Sequence, residues 1–317
     1  MVSGGDDMGV KMRVGAIQMI ARVAAVQENL KRAEELVEKA FSEGCQWVML
    51  PEFFTTAMAF HPSMLDACSP LDGPALEMLC RQATKHSGYV GGSFVAACGS
   101  DRYNTYVLAF PDGQWISHDK DQPTMWENCY YIGGKDDGYM ETPAGPIGAA
   151  VCWEMIRTRT ARRLRGRVDL LVGGSCWWTV PDWPVLRGFW QYLHRHNAAI
   201  MEDTPRRLAK LLGCPVIHAA HAASFKGKMP LMPGIPYSSH LLGETQIVDA
   251  GGNILARLRQ EEGEGVAIAE IDMGRISPSE SLPEGFWIPR LPLFFRFIWA
   301  YQNLHGHWYY QRKINRH

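Results

Sequence analysis

The chain has 317 residues, of which 46% are hydrophobic, 21% charged and 11% aromatic, and its formal net charge is -1. This is the composition of a globular protein, and near-neutral charge gives no general attraction to nucleic acid or acidic membranes. The length fits two domains or one large α/β core.

Asp6 and Asp7 stand where a signal peptide would need a basic start and an apolar core. The longest apolar stretches, such as Ile147 to Trp153, fall far short of the ~20 residues of a membrane span. Eight scattered cysteines show no CxxC pair and no dense even spacing. They read as reduced thiols, so the expected location is the cytoplasm.

In chain order, the first 11 residues are expected to be disordered. Val14 to Met19 then reads as a strand, and Gln27 to Phe41 carries Leu30, Ala33, Leu36, Val37, Ala40 and Phe41 on one helical stripe. Gly44 stops that helix, and Gln46 to Leu50 forms a second strand ending at Pro51-Glu52. A helix from Pro74 to His86 precedes three strands, Tyr89 to Ala97, Tyr103 to Phe110 and Trp115 to Lys120, whose tight links predict antiparallel pairing. After an irregular segment, Ile147 to Val151 is a strand of small residues that runs into Cys152, and Glu154 to Arg165 is helical. Strand Asp169 to Val172 follows, then an excursion from Gly173 to Thr204 with Trp177, Trp178, Trp183 and Trp190, then a helix near Pro205 to Leu212 and strand Pro215 to Ala220. Leu241 to Asp249, Ile254 to Leu258 and Val266 to Ile271 close the fold as a β-meander. Mixed strands with covering helices make the class α/β.

Two regions depart in composition. The Trp- and Pro-rich excursion suits either a rigid pocket-lining loop or a packed surface insertion. From Phe286 onward there are ten aromatics, five Lys or Arg, three His and no carboxylate. Such a tail must cover something, a neighbouring subunit or its own domain, with peripheral membrane contact a poor second.

Three strand ends carry candidate chemistry. Cys152 sits where a strand meets a helix start, a setting that favours thiolate and suits a nucleophile. Glu52, bounded by Pro51 and the apolar Phe53-Phe54, is placed for proton shuttling. Lys120 could stabilise an oxyanion near the thiol. Singly, these would read as a buried thiol, a solvated Glu and a surface Lys.

Together, in the order Glu, Lys, Cys, they resemble the nitrilase (carbon-nitrogen hydrolase) superfamily. The matching text is VMLPEFF around Glu52, Lys120-Asp121-Gln122-Pro123-Thr124-Met125-Trp126-Glu127, and GPIGAAVCWE around Cys152. RVDLLVGGS, LAKLLGCPVIHAA and the segment from IVDAGGNIL to AIAEID look like the remaining strands, so the resemblance covers about residues 12 to 273. It implies an α-β-β-α sandwich over 12–273, an extension over 274–317 packed at a subunit interface, and a homo-oligomer of two or more chains. It also implies Cys152 as nucleophile, Glu52 as general base and acid, Lys120 as oxyanion stabiliser and Glu127 as a second acid orienting the site. No metal and no organic cofactor is expected.

The reaction so implied is cleavage of a nitrile or carboxamide to a carboxylic acid and ammonia through a cysteine thioester. Cys-Trp-Glu at 152 to 154 looks more like true nitrilases than like the amidase branches, where Asp commonly stands two places after the cysteine. The Met-Ile-Arg-Thr-Arg-Thr continuation and Asn128, where nitrilases usually carry Arg, point the other way. N-substituted amides, carbamoyl groups, acyl transfer to an amine and a silent binding homologue are the alternatives. Trp126, Trp153, Trp177 and Trp178 are expected to line the substrate pocket and to favour an apolar or aromatic acyl group.

Other patterns read as structural. Arg157 to Arg167 makes a solvated or interface helix. His194 with His196, and His218 with His221, lack companion metal ligands. Gly91-Gly92, Gly133-Gly134 and Gly173-Gly174 lack nucleotide-binding text.

Overall fold

The apolar runs become strands that stack in two facing layers. A computed structural model describes residues 10–181, 183–229 and 232–314. In chain order it contains β1 (Val10–Met19), α1 (Val26–Ser42), β2 (Trp47–Met49), β3 (Ser69–Pro70), α2 (Pro74–His86), β4 (Tyr89–Cys98), β5 (Asp101–Ala109), β6 (Trp115–Asp119), β7 (Tyr139–Thr142) and β8 (Gly145–Val151). There follow α3 (Thr158–Leu164), β9 (Leu170–Ser175), α4 (Arg187–Leu212), β10 (Val216–His221), β11 (Ser224–Met229), β12 (Met232–His240), β13 (Gly243–Val248), β14 (Ile254–Arg259), β15 (Gly265–Met273) and α5 (Leu293–Lys313).

One layer runs β6-β5-β4-β2-β1 and continues into β15, antiparallel to β1. The other runs β7-β8-β9-β10 and continues into β13 and β14. The two join where Gln18 and Met19 pair with Ala220 and His221, and β2 and β4 lie against β9 across the interior. α1 and α2 cover the first layer, with Leu30, Ala33, Leu36, Val37 and Ala40 of α1 all buried; α4 covers the second and carries α3 beside it. The layering is therefore α-β-β-α, the two sheets being continuous through one short pairing. The apolar period of about 3.6 residues in α1 turns one buried face to its sheet.

One contact between the layers positions the chemistry. A Cβ on Gly174 of β9 would lie 2.8 Å from both the Glu52 nitrogen and the Pro51 Cα. Only glycine lets the strands approach this closely. That is the structural role of Gly173-Gly174.

Several boundaries differ from the sequence reading. Expected disorder over 1–11 falls mostly on residues 1–9, which lie outside the described residues, while Val10 and Lys11 already pair with Met273 and Asp272. The excursion ends early, because α4 begins at Arg187 and runs straight through Pro205. The stretch from Glu154 to Arg165 breaks at Arg157 into a 3-10 turn, Cys152–Ile156, and α3. Arg157 is not on a solvated face: it is 1% exposed and pairs with Asp121. β7, the hairpin β11-β12 and α5 carry no counterpart among the expected elements.

Candidate active site

Strand ends deliver the polar side chains to one point. Glu52 lies three residues beyond β2, while Lys120, Cys152 and Cys176 directly follow β6, β8 and β9. Glu52, Lys120, Glu127 and Cys152 are each no more than 1% exposed. A Glu52 carboxylate oxygen, a Glu127 carboxylate oxygen and the Cys152 Sγ all lie within 4.8 Å of one another. The structure thus brings together all four residues singled out in the sequence.

Lys120 is the hub. Its Nζ donates to Glu52 Oε1 at 2.8 Å and to Glu127 Oε2 at 2.7 Å. Burial pushes the Lys120 pKa down, but Glu127 and Glu52 outweigh it and hold the ammonium well above its ordinary value. Glu52 also accepts from Asn104 Nδ2 at 2.9 Å and, through Oε2, from the Cys176 backbone N–H at 2.8 Å. Glu127 accepts from the Thr124 N–H at 2.8 Å and from the Tyr131 hydroxyl. Burial holds Glu127 above the usual carboxylate range, with Lys120 opposing and Glu52 reinforcing. Every hydrogen bond donor here is itself buried, which makes the cluster rigid and its charges strongly coupled.

Burial, with Glu52 adding to it, also pushes the Cys152 thiol well up. The thiolate expected from the strand-to-helix junction is therefore not the resting form. The helix that follows is a single 3-10 turn, too short for a sizeable dipole, and the local field is set by two carboxylates against one ammonium.

The backbone at these positions is unusual. Phe53, Met125 and Cys152 have φ of 53°, 54° and 54°, a left-handed region that side chains rarely adopt. Each flanks or is a site residue, a place where strain is kept for positioning. A neutral His221, pushed down to about 4 by burial, holds the Glu52 carbonyl at 2.8 Å.

A further layer ties the Lys120 and Cys152 strands together. Glu154 Oε2 accepts from the Val151 N–H at 2.8 Å and lies 3.0 Å from His118 Nε2, while its Oε1 accepts from the Asp121 N–H at 2.9 Å. His118 and Asp121 flank Lys120 in the chain, so one carboxylate fixes both the lysine and the cysteine. Asp136 closes the far side of His118. Burial alone would lower the His118 pKa; Glu154 and Asp136 overcome it and raise it to about 10. Asn104, Tyr131, His118 and Asp136 were not legible as site residues, since nothing in their spacing marks them.

Of the four clustered residues, Cys152 is the one that lines a cavity open to solvent. Trp126, Trp153, Trp177 and Trp178 line the same cavity, with Trp126 stacked on Trp178 at 4.1 Å. Trp183 and Trp190 join them from the excursion and from α4. Phe294, Phe295, Ile298 and Gln302 form another wall, so the aromatic tail covers its own chain's cavity.

Among the described residues, Glu52, Glu127 and Cys152 form the one cluster of His, Cys, Asp and Glu close enough for a shared ion. Both carboxylates already hold the Lys120 ammonium. The paired histidines are individually occupied: His218 lies 2.8 Å from Ser175 Oγ and 3.0 Å from the Glu244 carbonyl, and His196 lies 3.2 Å from the Arg290 carbonyl.

Comparison with known proteins shows which family the chain is similar to. Over 285 residues the chain is 26% identical to a 2-oxoglutaramate amidase of Bacillus subtilis (strain 168), covering 86% of this chain and 96% of the relative. It is 24% identical to nitrilase 3 of Arabidopsis thaliana, covering 86% and 82%. A solved carbon-nitrogen hydrolase superfamily protein of Xanthomonas campestris, with an arsenic adduct in its active site, superimposes with a TM-score of 0.61 at 21% identity, over 83% of this chain and 91% of that one. An amidase from Nesterenkonia sp. AN1 in complex with acrylamide gives 0.61 at 17% identity, over 85% and 92%. Residues 13–280 match the sequence model of the carbon-nitrogen hydrolase family, and the chain belongs to that family, as a hydrolase acting on carbon-nitrogen bonds.

Proposed function

We propose that the protein cleaves a small nitrile or carboxamide to a carboxylic acid and ammonia, with Cys152 as nucleophile. The observation that carries this reading is the Cys152 thiol, which lines the cavity within 4.8 Å of the buried Glu52 and Glu127 carboxylates. A neutral thiol needs a base beside it, and Glu52 takes the Sγ proton as sulfur attacks the substrate carbon. Lys120 and the backbone N–H of Trp153 meet the charge that develops on the substrate oxygen or nitrogen. With a carboxamide, protonated Glu52 returns the proton to the nitrogen and ammonia departs, leaving a thioester. With a nitrile, the first adduct is a thioimidate, which takes up water and loses ammonia to reach the same thioester. Glu52 then takes a proton from water, the hydroxyl attacks the thioester, and the acid leaves as the thiol is restored. Glu127 orients Lys120 throughout.

Ammonia release from nitriles and primary amides sharing one carbon skeleton, with Cys152→Ala as the blank, tests the reading and separates the two substrates. Release from neither, with the intact thiol present, contradicts it.

Two further parts belong to the proposal. A row of exposed apolar residues on α5, Leu293, Phe297, Tyr301, Leu304 and Trp308, supports self-association, which light scattering of the purified chain checks. Eight unpaired cysteines support a reducing compartment, the cytoplasm.

A further inference from the structure

The cavity's polar atoms divide into those already used and those left over. Asn197 is spent: its Oδ1 accepts from Trp177 Nε1 at 2.9 Å and its Nδ2 donates to the Trp178 carbonyl at 3.0 Å. The Tyr237 hydroxyl donates to the Thr179 carbonyl at 2.7 Å, and Thr179 Oγ1 lies 2.5 Å from His194 Nδ1. Three lining residues keep a buried polar atom without a partner: Gln302 Oε1, Trp126 Nε1 and Thr124 Oγ1. Gln302 is only 4% exposed. A buried amide oxygen left unpaired is costly; those of Gln82, Asn104, Gln122 and Gln246 are unpaired too, but of these five amides Gln302 is the one that lines the cavity.

Gln302 belongs to α5, which lies beyond residue 280, where the family match ends. The helix is nevertheless held firmly against the site. Its Gly306 sits so close to Asn128 that a Cβ there would lie 2.4 Å from the Asn128 Cβ. Asn128 Nδ2 donates to Asn303 Oδ1 at 2.8 Å, and the Tyr310 hydroxyl accepts from the Arg102 N–H at 3.0 Å. Asn128 is one of the places at which the sequence departs from the nitrilase text, and here it is the seat of α5. Among the described residues no charged side chain lines the cavity.

Resting on the hydrolase reading above, we infer that α5 is the specificity wall of this site and that the substrate is an uncharged amide or nitrile. Its acyl group carries an aromatic ring and a hydroxyl that pairs with Gln302. Phe294, Phe295 and Ile298 enclose the ring together with the Trp cluster. The carboxamide end of Gln302 offers an acceptor and donors at once, so a hydroxyl matches it. A carboxylate on the acyl group would enter a cavity lined by no cation among the described residues, so an acid-bearing amide such as the one named for the Bacillus subtilis relative fits poorly.

The test uses full-length Cys152→Ala protein and calorimetric binding of 3-phenylpropanamide, its meta- and para-hydroxy derivatives and its para-carboxy derivative. The carboxy ligand is expected to bind at least ~100-fold more weakly than the plain one. One hydroxy isomer is expected to bind about tenfold tighter than the plain ligand, and adding Gln302→Leu removes that advantage. Phe294→Ala weakens all ring ligands relative to propanamide. Equal affinity for the carboxy and plain ligands, or a hydroxyl advantage that is absent or survives Gln302→Leu, overturns the inference. Selective binding here with no ammonia release by the Cys152-containing enzyme overturns the hydrolase reading instead.

Discussion

The two sides of Cys152 are built on opposite principles. Behind it, Glu52, Lys120 and Glu127 form one buried polar cluster and Glu154 and His118 a second, and in both each charge meets an opposite charge. In front of it lies a mostly apolar cavity, rich in aromatic rings, in which a few polar atoms stay unpaired. The rear can therefore move protons and hold charge without water, because its dipoles are fixed beforehand. The front can only sort ligands by shape, apolar area and a small number of neutral hydrogen bonds.

Substitutions behind the thiol should accordingly strike chemistry or stability, and those in front should strike selection. The largest effect belongs to Cys152→Ala, which abolishes turnover while circular dichroism and melting temperature stay near those of the parent. Next, Lys120→Ala lowers kcat by at least ~100-fold, the scale of a lost oxyanion contact. It also destabilises the fold by about 3–5 kcal/mol by leaving two buried carboxylates uncompensated. Steady-state kinetics and thermal melts read these two losses separately, and a Lys120→Ala enzyme with normal kcat would move the charge stabilisation elsewhere.

A pH effect comes third and isolates the rear network. His118 has its pKa raised to about 10, so the stability it contributes is fully present below pH ~6.5 and is lost as pH rises towards 10. Melting temperature should fall by a few degrees across that window in the parent, and His118→Gln should flatten the fall. An unchanged slope in His118→Gln assigns the titration to another group. The smallest effect belongs to the front. Gly306→Ala pushes α5 away from Asn128, and it should raise KM for ring-bearing substrates several-fold with little change in kcat. A fall in kcat with KM unchanged would show that α5 acts on the chemistry rather than on selection.

The cluster of Glu52, Lys120, Glu127 and Cys152 was legible in the sequence for a physical reason. Polar groups at strand ends leave short fixed texts, because a left-handed residue such as Cys152 and a close approach such as that at Gly174 tolerate few alternatives. Their supporting residues left none, since Asn104 and Tyr131 reach the site through the third dimension. The four tryptophans were legible as pocket residues through their proximity to those texts. The opposite wall was not: α5 read only as an aromatic tail lacking acids, and nothing local says which surface such a helix meets. Pro205 shows the same limit in another form. It reads as a helix start, yet the tertiary fit of α4 carries the helix through it, with Thr204 Oγ1 donating to the Ile200 carbonyl at 2.6 Å.

The most direct test of the central claim is intact-protein and peptide mass spectrometry of enzyme quenched in acid during turnover of an amide or nitrile that releases ammonia. A mass increase equal to the acyl group less one hydrogen is expected on the Cys152 peptide, and none in Cys152→Ala. Continued ammonia release with the acyl group on another residue, or undiminished turnover by Cys152→Ala, would contradict it.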